Sequence, residues 1–152
     1  GIVTGMVAGL GSITPASGYV GPAAALVIGL TAGCVCFYFT NLIKQKWKID
    51  DSLDVFPVHG IGGILGTFLA GIFCSPDLGI FSGYGFGGDN TSIGEQLGVQ
   101  MVGIFATFVY TAVVSLVLLK LVDMLTKGIR VTAEQEQQGL DISSHEERGY
   151  NL

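Results

Sequence analysis

The sequence predicts an all-α membrane protein with four transmembrane helices. Hydrophobic residues make up 49% of the 152 residues and charged residues only 12%, which is about half the charged share of a soluble domain. The charged residues are clustered, so that four long uncharged runs remain between them. Glycine occurs 24 times, as is common where membrane helices approach each other closely. Together these observations favour a bundle of membrane helices.

The four spans are expected near residues 1–16, 23–43, 55–74 and 95–127. The first is short for a span of about 20 residues, and it begins without a signal-peptide pattern, so we expect further helices before Gly1. A glycine-containing turn at residues 15–22 and a loop at residues 75–94 connect the spans. If the fourth is helical from Ile93 to Lys127, it is about 50 Å long. It should then tilt or project from a hydrocarbon core of about 30 Å.

The distribution of charge predicts the orientation in the membrane. Every lysine and arginine lies either between the second and third spans or from Lys120 onward. Because such residues are enriched in cytoplasmic loops, we expect the link at residues 44–54 and the C-terminus to be cytoplasmic. Residues 1–130 are expected to form a multi-pass domain in the lipid bilayer of the cell membrane, and residues 131–152 a polar tail. The net charge of −5 argues against a nucleic-acid-binding surface.

His59 is the only Asp, Glu, Lys, Arg or His residue in the first three spans. Ionisable side chains inside membranes usually mark transport pathways or proton relays. The alternative is a structural histidine whose ring nitrogens bond to neighbouring carbonyls. The position favours function over this alternative, because an imidazole both donates and accepts hydrogen bonds and exchanges a proton near neutral pH.

Asp50, Asp51 and Asp54 precede the third span. Carboxylates are favoured at helix N-termini, and this explanation suffices for at least two of them; attraction of cations is the alternative. Thr14 adjoins Pro15, where the first helix is expected to break into the following turn. A threonine hydroxyl there can bond a backbone carbonyl that proline leaves unpaired.

Neither a metal nor a cofactor nor an enzymatic activity is predicted. The three cysteines lie within or at the edge of apolar runs and have no partners at zinc-like spacing. No nucleophile lies beside a base in the four spans. The polar tail is compatible with disorder, yet the spaced apolar residues Leu140, Ile142 and Tyr150 also fit a docking segment. His145 is interpreted as a solvated side chain.

Three segments resemble the ammonium transporter (Amt) family. They are Ala8-Gly-Leu-Gly-Ser-Ile-Thr-Pro-Ala-Ser-Gly-Tyr-Val, Asp50-Asp-Ser-Leu-Asp-Val-Phe-Pro-Val-His-Gly-Ile-Gly-Gly-Ile-Leu-Gly, and Gly128-Ile-Arg-Val…Glu134-Gln-Glu…Gly139-Leu-Asp…Ser144-His-Glu. They follow the family order and cover nearly the whole chain. The Asp-Val-Phe-Pro-Val-His-Gly stretch of the second is more similar to bacterial-type ammonium transporters than to the related Rhesus glycoproteins.

The resemblance implies a homotrimer in which each protomer has its own pore. Each protomer would have eleven helices, of which ten form two inverted five-helix repeats and the eleventh lies outside them. This chain is similar to helices eight to eleven and the tail of that ammonium transporter fold. His59 then corresponds to the second of two facing pore histidines, and Val55 to an apolar residue of the pore wall. Thr14 is a weaker candidate for a pore neighbour. The family's other pore residues would lie upstream.

The tail resembles the segment that contacts PII-type nitrogen-signalling proteins at the cytoplasmic face. The residues concerned are Gly139, Leu140, Asp141, Ser144, His145 and Tyr150. The ending Glu146-Glu-Arg-Gly-Tyr departs slightly from the usual one of the family.

The resemblance implies a role in nitrogen metabolism, as an ammonium channel in a cell inner membrane. Ammonium would give up a proton, and neutral ammonia would cross an apolar pore beside His59; methylammonium would act as an analogue. One alternative is a membrane-bound ammonium sensor that acts through a PII-type protein. Another is a transporter of a different small solute, such as carbon dioxide or methylamine.

Overall fold

The computed structural model describes residues 2–149, and its regular elements in that range are all helical. The six α-helices are α1 (Ile2–Ile13), α2 (Pro22–Asn41), α3 (Gly62–Phe73), α4 (Ile93–Thr126), α5 (Ala133–Gln138) and α6 (Leu140–His145). A π-helical turn, Leu42–Lys46, extends α2, and a second one, Phe56–Ile61, leads into α3. Short 3₁₀ turns lie at Thr14–Ala16 and Gly79–Phe81. The predicted all-α class is confirmed.

Within residues 2–149, three helices are long and apolar enough to cross a membrane. With their π-helical turns they comprise Pro22–Lys46 with 25 residues, Phe56–Phe73 with 18 and Ile93–Thr126 with 34. The helix at Ile2–Ala16 is apolar but shorter. At about 1.5 Å per residue, α4 is about 51 Å long, which agrees with the predicted length. Three of the four predicted spans thus coincide with helices of membrane-spanning length, and the first coincides with the shorter helix.

Polar side chains within the apolar helices bond back to their own backbone. The Thr14 hydroxyl donates to the Leu10 carbonyl at 2.7 Å, and the Thr31 hydroxyl donates to the Val27 carbonyl at 2.7 Å. In lipid, where no water is available, such bonds satisfy groups that would otherwise be costly. At Thr14 the α-helix gives way to a 3₁₀ turn, as expected from the following proline.

Helices α1, α2 and α3 pack on one another through small residues. A Cβ atom on Gly66 of α3 would overlap the Ser12 carbonyl of α1, and one on Gly62 would lie 2.9 Å from the Ser12 hydroxyl. Backbones can approach this closely only where glycine leaves room, which is how membrane helices gain van der Waals contact. Gly62 and Gly66 thus permit close approach between α1 and α3.

Two buried clusters show how the three helices are aligned. Ala8, Cys36 and Val58 form one, and Ala16, Ile28 and Ala70 form the other. From the first cluster to the second, the residue number rises from 8 to 16 in the first segment and from 58 to 70 in the third. It falls from 36 to 28 in α2. Helices α1 and α3 are therefore parallel, and α2 runs antiparallel to both.

The loop between α3 and α4 is held by backbone hydrogen bonds. The Gly83 N–H donates to the Ser75 carbonyl at 2.7 Å, and the Tyr84 N–H donates to the Tyr19 carbonyl at 3.0 Å. A buried side chain of α4, Gln96, accepts from the Gly87 N–H at 3.0 Å. The loop is thus ordered against both its flanking helices and the turn after α1.

The chain divides into two compact units between Thr107 and Phe108. The second contains the end of α4 and the tail helices α5 and α6. A capping box starts α5: the Gln135 N–H donates to the Thr132 hydroxyl, and the Thr132 N–H donates to the Gln135 side chain. Hydrogen bonds from the Glu134 N–H and the Thr132 hydroxyl lower the pKa of the Glu134 carboxyl. In the described residues the polar tail thus forms two short helices.

Candidate functional site at the start of helix α3

His59 lies in the π-helical turn that leads into α3. Pro57 and Val58 are buried, whereas Val55 and His59 are exposed. The turn therefore presents one face to α1 and α2 and the opposite face, with the two predicted pore residues, away from them. Single π-helical turns are frequent at functional sites. The structure brings Val55 and His59 together on one open face.

The packing of Val58 defines the depth of His59 relative to α2. Val58 belongs to the same buried cluster as Cys36, which lies ten positions before Lys46, the last residue of the 25-residue helix Pro22–Lys46. Ten residues correspond to about 15 Å, so α2 extends well past the level of His59. Although His59 comes one turn into its own span, it therefore lies close to the middle of the neighbouring one.

Asp51 caps this turn with both carboxylate oxygens. The Val55 N–H donates to Oδ1 at 2.8 Å, and the Phe56 N–H donates to Oδ2 at 2.9 Å. Free N–H groups at the start of a helix need such acceptors. The helix-capping explanation therefore holds for Asp51.

Asp54 forms an ion pair with Lys44 at the end of α2, with 2.6 Å between Lys44 Nζ and Asp54 Oδ1. The backbone carbonyl of Asp54 also accepts from the Val58 N–H at 3.0 Å. Asp50, by contrast, is exposed. The three acidic residues thus occupy three different environments. The sequence did not identify Lys44 as a partner, because only tertiary packing brings these two helix ends together.

A cavity of about 360 Å³ lies beside the ion pair, between α1 and α2. Ala8, Thr40 and Asp54 contribute to its wall. The Thr40 hydroxyl is buried and has no hydrogen-bond partner in the described part of the chain. His59 is not part of the cavity wall.

The structure does not bring Thr14 and His59 together. Thr14 lies near Ala16, which packs on Ala70, whereas His59 follows Val58 at the level of Ala8. The two levels are separated by about three turns of α3. Thr14 is exposed on its own turn, and its assignment to a pore stays a prediction.

The tail residues singled out in the sequence lie around α6. Gly139, with φ +90°, separates α5 from α6. Leu140 is 45% exposed and Ile142 is 36% exposed. The other predicted tail residues of α6 are also exposed, namely Asp141, Ser144 and His145. Tyr150 lies outside the described residues.

Comparison with known proteins identifies the family. The profile of the Ammonium Transporter Family matches residues 1–150. A putative ammonium transporter of Methanothermobacter thermautotrophicus is 44% identical over all of this chain and 37% of its own length. Ammonium transporter Amt1 of Archaeoglobus fulgidus is 43% identical over 99% of this chain and 37% of its own length.

An ammonium transporter of Bacillus subtilis is 40% identical over 99% of the chain and 36% of its own length. This chain therefore spans somewhat more than a third of the length of the curated relatives that it matches. The match extends through the apolar helices, the start of α3 and the tail. The chain belongs to the ammonium transporter family of membrane proteins.

Proposed function

We propose that this chain contributes part of the pore of an ammonium channel, in which ammonium loses a proton and ammonia passes His59. The observation that carries the proposal is the position of His59, exposed on a π-helical turn beside the middle of α2. Its relatives are named ammonium transporters. Val55 lies on the same face and supplies an apolar surface next to the imidazole.

Selectivity in this proposal depends on dehydration and not on size. Ammonium and potassium are close in size, so a sieve would separate them poorly. An apolar conduit imposes a large desolvation cost on any intact cation but little on neutral ammonia. Only ammonium can shed its charge by giving up a proton. His59 would accept a hydrogen bond from ammonia or donate one to it. It would also serve as one station of a separate proton route.

The central test is the substitution His59→Ala in the complete protein that contains this chain. After reconstitution in liposomes, we expect the variant to lose selective ammonium current, because the proposed proton route then lacks the station that His59 provides. Potassium flux is measured in the same vesicles, and methylammonium is used as a competing analogue. Competition by methylammonium but not by potassium would distinguish this substrate from carbon dioxide.

The second histidine of the chain provides a matched control. His145 is exposed in the tail helix α6, so His145→Ala removes an imidazole without touching α3. We expect this variant to conduct like the unmodified protein. Unchanged ammonium current and unchanged potassium exclusion in His59→Ala would overturn the proposal.

The assembly and orientation proposed here follow the family resemblance. Residues 1–130 would form the membrane domain of a homotrimer, with residues 131–152 in the cytoplasm of a cell with an inner membrane. The lysines at the end of α2 and the basic residues after α4 support this orientation. A PII-type signalling protein would bind at the same face.

A sensor that signals through a PII-type protein is the second candidate function. The exposed Leu140 and Ile142 on α6 favour a partner for the tail. The two functions are separated by measuring ammonium flux in liposomes and capture of a PII-type protein by the tail. Capture without flux would favour the sensor; flux without any dependence on the tail would favour the channel.

A further inference from the structure

We propose that the Lys44–Asp54 ion pair is a positioning pair, which sets the orientation of the His59 turn relative to α2. This inference rests on the proposed function, in which His59 acts on ammonium. Neither residue faces the open side with His59. Both act through the backbone that leads from Asp54 into the π-helical turn.

The geometry of the pair ties two π-helical turns to each other. Lys44 lies in the turn Leu42–Lys46 that extends α2, and Asp54 directly precedes Val55 and the turn Phe56–Ile61. Their charged atoms are 2.6 Å apart. The side chains are 36% and 16% exposed, so solvent screens this pair less than a pair on an open surface.

The backbone of Asp54 makes the pair more than a surface contact. Asp54 has φ +56°, a left-handed conformation that is uncommon outside glycine and best tolerated by asparagine and aspartate. Its carbonyl accepts from the Val58 N–H at 3.0 Å. Asp54 therefore has a left-handed backbone, accepts the hydrogen bond from the Val58 N–H that starts the helix, and pairs with Lys44 through its carboxylate.

Among the lysines and aspartates of the link at residues 44–54, only Lys44 and Asp54 form an ion pair in the described part of the chain. Lys46, Lys48 and Asp50 are exposed and take part in no ion pair within the described part of the chain. Lys44 alone connects α2 to the residue from which the His59 turn begins.

Among the contacts that this chain itself supplies, the backbone of the turn sets the orientation of the His59 ring. In the described part of the chain no side-chain hydrogen bond involves the imidazole, and its side of the turn is exposed. Contacts of the turn come from the opposite side, where Val58 packs on Ala8 and Cys36. Rotation of the turn about this contact is limited by its two ends, α3 on one side and Asp54 on the other.

Removing one charge should disturb the turn more than removing both. In a poorly hydrated environment, a single remaining charge seeks a new partner or water, whereas a neutral pair leaves nothing uncompensated. Asp54→Asn retains a side chain that tolerates the left-handed conformation. Lys44→Gln, Asp54→Asn and the variant with both substitutions form a double-mutant cycle in which side-chain size changes little.

The experiment measures ammonium transport and the His59 ring signal in the complete protein. Lys44→Gln and Asp54→Asn should each lower transport by about tenfold or more, as expected when a group that acts on the substrate is misplaced by about 1 Å. In histidine-labelled protein, the ring resonances assigned through their loss in His59→Ala should move. Lys44→Arg and the double variant should retain most of the transport and an unshifted signal.

An exposed ion pair of the tail provides the control. Arg130 and Glu136 approach to 3.5 Å with side chains 80% and 53% exposed, and Glu136→Gln should alter neither reading. If the single variants transport normally, the inference is wrong. It is also wrong if transport falls while the His59 signal stays in place, since the pair would then serve folding alone.

The readings also separate this inference from the proposed function. If the unmodified protein carries no ammonium current, the proposed function fails, while the ring signal still decides whether the pair positions His59. If His59→Ala abolishes current but the pair variants change neither reading, the inference fails and the proposed function stands.

Discussion

The two ends of α3 are held by different forces. At the entry end, residues 44–61, charged groups act in addition to the apolar packing of Val58: Asp51 caps free N–H groups and Asp54 pairs with Lys44. The exit end, residues 66–96, relies on close backbone contact and hydrogen bonds between neutral groups. The ionisable and exposed His59 lies at the entry end. Under the proposed function, the exit end serves as the scaffold and the entry end, with His59, carries the chemistry.

The largest effect on stability is expected at Gly66, where α3 meets α1. A Cβ there would overlap the Ser12 carbonyl, and backbone cannot move aside as a side chain can. Gly66→Ala should lower the free energy of unfolding by about 3 kcal/mol or more, which thermal unfolding in detergent will detect. Gly98→Ala is the control, because a Cβ at Gly98 meets nothing within 4 Å. Equal melting temperatures for the two variants would contradict this close contact.

A smaller effect is expected from Gln96, which joins the exit-end loop to α4. Its side-chain oxygen accepts from the Gly87 N–H at 3.0 Å and from the Asn90 amide at 2.9 Å. Gln96→Leu removes the single oxygen that accepts both hydrogen bonds, at a cost of about 1–3 kcal/mol. Hydrogen exchange in residues 85–92 should accelerate as a result.

The neighbouring Gln100 serves as the control for this prediction. Its side chain lies near Gly71, so Gln100→Leu changes a similar position one turn later in α4. Exchange in the loop should stay slow in that variant. If both variants accelerate exchange equally, the loop is held by α4 as a whole and not by the Gln96 oxygen.

The smallest effect is expected from the cap at the entry end. Asp51→Ala leaves the Val55 and Phe56 N–H groups without their carboxylate acceptor, which costs about 1 kcal/mol. Asp50→Ala removes the same charge from an exposed residue and should leave the melting temperature unchanged. An equal decrease of the melting temperature in both variants would mean that net charge, and not the cap, stabilises the entry end.

Much of the architecture follows from local sequence. Uncharged runs predict membrane helices because lipid admits few charges, and the predicted span at residues 23–43 lies within the helix Pro22–Lys46. Asp51 behaves as helix capping predicts. Such features depend only on residues close together in the chain.

The details of the candidate site depend on contacts between distant residues. Lys44 was expected only as part of the cytoplasmic link at residues 44–54, yet it pairs with Asp54. The depth of His59 relative to α2 could not be inferred from its place in its own span, because it follows from the buried cluster that Val58 forms with Ala8 and Cys36. The π-helical turns were not predicted either, since no local residue pattern distinguishes them from α-helix.

A structure of the complete protein in a lipid bilayer tests the central claim most directly. The measured quantity is the position of the His59 imidazole relative to any continuous tunnel and to the mid-depth of the membrane. We predict a ring that borders a narrow tunnel near mid-depth, with Val55 on the same wall. A ring that faces lipid, or one enclosed by helices without an adjoining tunnel, would contradict the account.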